Sequence, residues 1–212
     1  MLKVTIYPLG PIQTNCYIIQ DELNNCLIVD PGEEGSRLIN EINNAGLIPV
    51  AILLTHGHFD HIGAVDAVRD AFKIPVYIHE SEKDTLTDPE KNGSTRYPGL
   101  PLVSNQEADH LITKEGMMEI GTFKFEVRHT PGHSIGSISF IFKADLFAIV
   151  GDTLFRESIG RTDLPGGDTN TLLSSIHNKL LTLDKDFVIY PGHGTSTTPQ
   201  FEMDRNPFLN GF

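Results

Sequence analysis

The stretch Ala51-Ile52-Leu53-Leu54-Thr55-His56-Gly57-His58-Phe59-Asp60-His61 decides how the rest of the chain is read. Four apolar residues form a short buried strand, and the polar turn after it carries four metal-ligand side chains within six positions. Side chains in extended backbone repeat every two residues, so His56 and His58 point to the same side. Asp60 and His61 fall at the start of the following helix and face elsewhere. One segment thereby offers two ligand pairs to two neighbouring metal ions. Imidazole and carboxylate suit zinc, iron or manganese.

Three more segments have the same local form. Thr130-Pro131-Gly132-His133 follows a strand ending near Arg128, Gly151-Asp152 follows the apolar run 146–150, and Pro191-Gly192-His193-Gly194 follows a strand over 187–190. In each, glycine allows a tight turn just before a potential ligand. If the four strand ends share one edge, the ligands converge in a groove.

The remaining pattern fits such a frame. Val4 with Ile6, then 16–19, then 26–29 alternate as antiparallel strands, and Asp30-Pro31-Gly32 ends the third. Leu38, Ile39, Ile42 and Ala45 recur at helical spacing until Gly46. A helix is expected over 63–72 and a strand over 75–78. The Pro-, Gly-, Asn- and Ser-rich residues 87–105 read as an irregular insertion. Strands at 123–128 and 137–142 and a helix at 169–181 complete a second run. Two runs of strands with helices attached imply two face-to-face sheets with helices outside, an α/β architecture. At 212 residues the chain is expected to form one domain.

Charge and composition narrow the function. With 28 acidic residues against 16 basic ones the net charge is −12, so nothing would neutralise a run of phosphates and nucleic acid is not the expected partner. No apolar run approaches bilayer length and the amino terminus reads directly into a strand, so a cytoplasmic protein with no membrane partner is expected. Cys16 and Cys26 lie in apolar strands and read as small buried hydrophobes. His79, His110 and His177 read as structural, and His129 as at most a support for a ligand.

His56-x-His58-x-Asp60-His61, His133, Asp152 and His193, in that order and spacing, resemble the metallo-β-lactamase-fold hydrolases, over nearly the whole chain. Residues 151–155, 160–168 and 190–194 resemble the small glyoxalase II-like branch. The resemblance implies a four-layer αββα sandwich, the metallo-β-lactamase fold, as a single domain over residues 1–212. It places His56, His58 and His133 on one metal and Asp60, His61 and His193 on a second, with Asp152 bridging. Two divalent ions are implied, zinc first, with iron or manganese as alternatives. β-Lactamases of this fold commonly carry a cysteine where Asp152 stands; the carboxylate matches the thioesterase-like branches.

The expected reaction is hydrolysis of a small-molecule thioester, of hydroxyacylglutathione type, or an ester, by attack of a metal-bridging hydroxide. Asp60, beside that water, would orient it or move a proton, and is the catalytic residue expected. Larger glyoxalase II enzymes add a helical domain with basic glutathione contacts, which residues 197–212 do not resemble. The alternative is a mononuclear-iron persulfide dioxygenase, its iron on His56, His133 and Asp152; the wording Pro-Gly-His-Gly at 191–194 favours the hydrolase. Arg161 and Asp163 read as a loop-ordering ion pair rather than substrate contacts.

Overall fold

The structure, a computed structural model, describes residues 1–209. The chain forms two compact units: Met1–Thr113 with Ile120–Phe123, and Lys114–Glu119 with Lys124 onward. Each is a β-sheet carrying helices, as the two runs of strands imply.

In the first unit the strands β1 (Lys3–Leu9), β2 (Thr14–Gln20), β3 (Asn25–Val29), β4 (Ile48–Leu53), β5 (Val76–His79) and β6 (His110–Ile112) are neighbours in that order. β1 to β3 pair antiparallel, and β3 to β6 pair parallel. β2 and β3 are buried along nearly their whole length, which is why they read as continuous apolar runs rather than alternating ones. On one face Cys16, Ile18, Ile28, Ile52 and Val76 pack with Leu38 and Ile42 of helix α1 (Gly35–Asn44) and with Val65 and Val68 of a later helix. The α1 pattern read from the sequence and its stop at Gly46 both hold.

The helix expected over 63–72 forms as α3 (Val65–Phe72), two residues shorter at its start. Asp60 and His61 do not open that helix; they lie in a separate short one, α2 (Phe59–Ile62), which ends at Gly63. The break has a cause. The Ala64 N–H donates to the Pro31 carbonyl at 2.9 Å, so it is not available to the Asp60 carbonyl four residues back. A Cβ on Gly32 would lie 1.8 Å from the Asp60 carbonyl oxygen, so the Asp-Pro-Gly turn rests directly on the backbone of α2 and only glycine fits there.

The second unit is built on β7 (Gly116–Ile120), β8 (Phe123–His129), β9 (Ile138–Phe142), β10 (Phe147–Gly151) and a last strand β13 (Val188–Pro191), in the order β13-β10-β9-β8-β7. A small hairpin, β11 (Leu154–Phe155) with β12 (Ser158–Ile159), follows β10. Ile141, Ala148, Val150 and Ile189 pack with Leu172 and Ile176 from helix α4 (Thr169–Ser175) and its continuation. The helix expected over 169–181 is thus shorter as an α-helix: it widens into π geometry over Ile176–Leu180. A final helix, α5 (Pro199–Arg205), has Thr198 as its cap. The irregular reading of 87–105 holds, apart from a single 3₁₀ turn at Ser94–Arg96.

Both cysteines are fully buried, as the sequence implies. Burial pushes the Cys26 thiol up to about 12 and the Cys16 thiol well above its usual range. The thiolate, which is the nucleophile, is therefore scarce at both positions. A disulfide-exchange reagent at pH 8 should leave both thiols untouched in the native protein over an hour and titrate both at once in denaturant. Rapid native reaction of either would contradict their burial.

Candidate metal centre

Parallel pairing sets up the donor set of the first unit. Val29 pairs with Leu53, so β3 and β4 finish at the same edge, one leading into Asp30 and the other into Thr55 and His56. Asp30 takes a left-handed backbone (φ 51°), which turns its side chain toward the β4 exit. Its Oδ1 accepts the Thr55 N–H at 2.8 Å, and its Oδ2 accepts both the Thr55 hydroxyl at 2.6 Å and His61 Nδ1 at 2.9 Å. The carboxylate is 1% exposed.

This network fixes the imidazoles. Since the Thr55 hydroxyl donates to Asp30, it accepts from His56 Nδ1, 3.0 Å away. His56 and His61 therefore both carry their ring proton on Nδ1 and present Nε2 with its lone pair, the arrangement that orients histidine metal ligands. His56 Nε2 lies 3.1 Å from His58 Nδ1, and His61 Nε2 lies 3.6 Å from Asp60 Oδ2. Thr14, from β2, donates to that same Asp60 oxygen at 2.9 Å. His56 and His58 share a side, as expected. His61 directs its Nε2 toward Asp60 rather than His58, while Asp30 draws its ring under the turn, with its centroid 4.1 Å from that of His56. Donor atoms of Asp30, His56 and His61 gather within 4.8 Å. The three hydrogen bonds that Asp30 accepts make it their anchor rather than a ligand.

The second unit builds a donor set of its own by the same logic. β9 runs antiparallel to both β8 and β10, so β8 and β10 run the same way, and β13 is parallel to β10. All three carboxyl ends meet one edge, from which His133, Asp152 and His193 emerge. One oxygen of Asp152, Oδ2, lies 3.6 Å from His133 Nε2 and 3.5 Å from His193 Nε2. His133 Nδ1 donates to the Arg161 carbonyl at 2.9 Å, leaving Nε2 as its donor atom. A Cβ on Gly160 would sit 1.8 Å from the Asp152 carbonyl oxygen, so the 160–168 loop reaches the site only because residue 160 is glycine. Arg161 and Asp163 form a two-pronged ion pair, 2.7 Å at each contact. The Arg161 guanidinium holds the exposed Asp163 carboxyl at about 2. The pair orders the loop whose carbonyl grips His133, which is the loop-ordering role the sequence suggested.

The donor set of each unit, taken by itself, fits a divalent ion. With metal–ligand bonds of about 2.0–2.2 Å, neighbouring tetrahedral ligands sit about 3.3–3.6 Å apart, and the donor atoms within each unit lie 3.1–3.6 Å apart. The His129 ring bonds the Ile135 carbonyl at 2.9 Å. Sequence reading missed Asp30, Thr55 and Thr14 as supports. The signal for Asp30 was present, an acidic residue closing an apolar strand just before Pro-Gly, but nothing local ties it to a histidine 31 positions later.

Fold and donor set together define a metal-dependent hydrolase. The sequence profile of the Metallo-beta-lactamase superfamily matches residues 9–193, and the chain belongs to that family. It is 51% identical over 205 residues to "Probable metallo-hydrolase YqgX" of Bacillus subtilis (strain 168), covering 97% of this chain and 96% of the relative. It is 40% identical over 210 residues to the hydroxyacylglutathione hydrolase GloC of Haemophilus influenzae, covering 99% of each. Among solved structures, the BLEG-1 B3 metallo-β-lactamase superposes with a TM-score of 0.96 at 52% identity, over 99% of this chain and 100% of that one. TTHA1623 in a di-iron-bound form superposes with a TM-score of 0.87 at 38% identity, over 97% and 100%. The fold is the metallo-β-lactamase fold. No helix among the described residues is long and apolar enough to cross a membrane.

Asp30→Ala should strand the Thr55 N–H and leave His61 without its partner, at a cost of about 1–3 kcal/mol for each buried group. It should also weaken metal retention about 10- to 100-fold. Urea unfolding and metal titration read the two effects separately; unchanged metal affinity would remove Asp30 from its anchoring role.

Proposed function

We propose that the protein is a dinuclear hydrolase that cleaves small thioesters in the cytoplasm, with zinc as the first candidate metal. In this reading His56, His58 and His133 hold one ion, Asp60, His61 and His193 hold the other, and Asp152 is shared. The observation that carries it is the pairing of histidines whose Nδ1 protons are fixed by Asp30, Thr55 and the Arg161 carbonyl, so that lone pairs rather than protons are presented. Divalent ions held there would lower the pKa of a water toward neutrality and polarise the acyl oxygen. Asp60, steadied by the Thr14 hydroxyl, would orient a water and accept its proton. Similarity to a hydroxyacylglutathione hydrolase supports a thioester as the substrate class.

Similarity to a B3 metallo-β-lactamase favours a second reading, β-lactam hydrolysis at the same centre. Comparing a chromogenic cephalosporin with S-lactoylglutathione and a truncated thioester separates them: the thioester reading expects kcat/KM at least 100-fold higher for the thioesters.

Purified protein should hold close to two metal equivalents, and thioester cleavage should proceed at the same rate without oxygen. Asp152→Ala should lose more metal than His58→Ala, and each should lose most activity while keeping its circular dichroism. One iron per chain, with a glutathione persulfide driving oxygen uptake, would establish the dioxygenase instead.

A further inference from the structure

Within the first unit, the β1–β2 turn, helix α2 and the irregular segment 87–105 enclose a cavity of about 220 Å³. Leu9, Pro11 and Ile12 line it from the turn, Leu100 and Leu102 from the irregular segment, and Asp60 from α2. The segment is fastened in place. Buried Asn92 accepts the Phe59 N–H through its carbonyl and donates its amide to the carbonyls of Thr85 and Val103. Asn105 donates to the Ile62 carbonyl at 3.0 Å, so both ends of α2 are tied to it.

Two properties of the cavity decide what it takes. Its lining includes no Lys or Arg, and its ionisable groups, Asp60 and Glu33, are both acidic, so it disfavours an anion. Its volume holds about seven groups of water or methylene size at ~30 Å³ each. That falls below the ~300–1,000 Å³ of pockets that enclose a whole drug-sized ligand. Ile12 and Leu102, both on the lining, are 39% and 65% exposed, so each keeps apolar surface that a bound apolar chain would cover.

We propose that this cavity binds the acyl chain of the substrate, an uncharged apolar group of about four to seven carbons, with the reacting carbonyl at Asp60. The inference rests on the hydrolase reading and names its substrate class: medium-chain acyl thioesters, recognised by the acyl side rather than by an anionic thiol carrier.

Straight-chain primary amides are the binding probe, with an ammonia assay run alongside to check that they are not hydrolysed during the titration. Titrated calorimetrically into the metal-loaded protein, their affinity should rise about threefold per methylene from acetamide to hexanamide. Ile12→Asp and Leu102→Asp, both at exposed positions, should each lower hexanamide affinity at least tenfold with circular dichroism unchanged. Equal affinity along the series, or variants that bind hexanamide as the wild type does, would overturn the proposal. In parallel, kcat/KM for acetyl, butyryl and hexanoyl thioesters of N-acetylcysteamine should climb in the same order. Chain-length-dependent amide binding with no thioester cleaved keeps the cavity and removes the hydrolase reading; cleavage with flat amide binding does the reverse.

Discussion

A single buried carboxylate, that of Asp30, holds the donor set of the first unit together. Its two oxygens accept three hydrogen bonds, from the Thr55 N–H, the Thr55 hydroxyl and His61. An uncompensated buried charge would cost several kcal/mol, and here the compensation comes from the segment that must be positioned. The charge therefore works as a clamp: the turn cannot leave without exposing the carboxylate to an apolar interior. The same interaction chooses the histidine tautomers, which is a chemical consequence and not only a mechanical one.

The donor sets of the two units reach their geometry by similar means. Parallel strands deliver their carboxyl ends to a common edge, and glycine allows a second backbone to touch the ligand segment, Gly32 on α2 and Gly160 on Asp152. What differs is the support of the ring proton. His61 uses a carboxylate and His56 a hydroxyl backed by that carboxylate, whereas His133 uses a main-chain carbonyl whose loop is ordered by Arg161 and Asp163. The first support carries formal charge and raises ligand basicity more than the second.

Much of this was legible in the sequence. The ligand types, their grouping and the strands before them follow from period-two runs ending in His or Asp, because strand and turn chemistry are local. The break between α2 and α3 was not legible, since the Pro31 carbonyl that takes the Ala64 N–H arrives from 33 positions away. The short strand β6 escaped because three residues with two exposed side chains carry no pattern. Helix α5 escaped for a different reason. Thr198-Pro199 followed by Glu202 is a start signal, but its buried residues, Pro199 and Glu202, give no apolar stripe.

The shortness of α2 has an outcome for how the protein is made. A four-residue helix has no stability of its own; it exists because Asp30, Pro31 and Gly32 press on it after β3 and β4 have paired. Until that parallel crossover closes, the chain offers His56, His58 and His61 as loose side chains that bind ions in any combination. Metal supplied to the unfolded chain therefore competes with assembly, whereas metal supplied after the first sheet has formed meets donors already aimed.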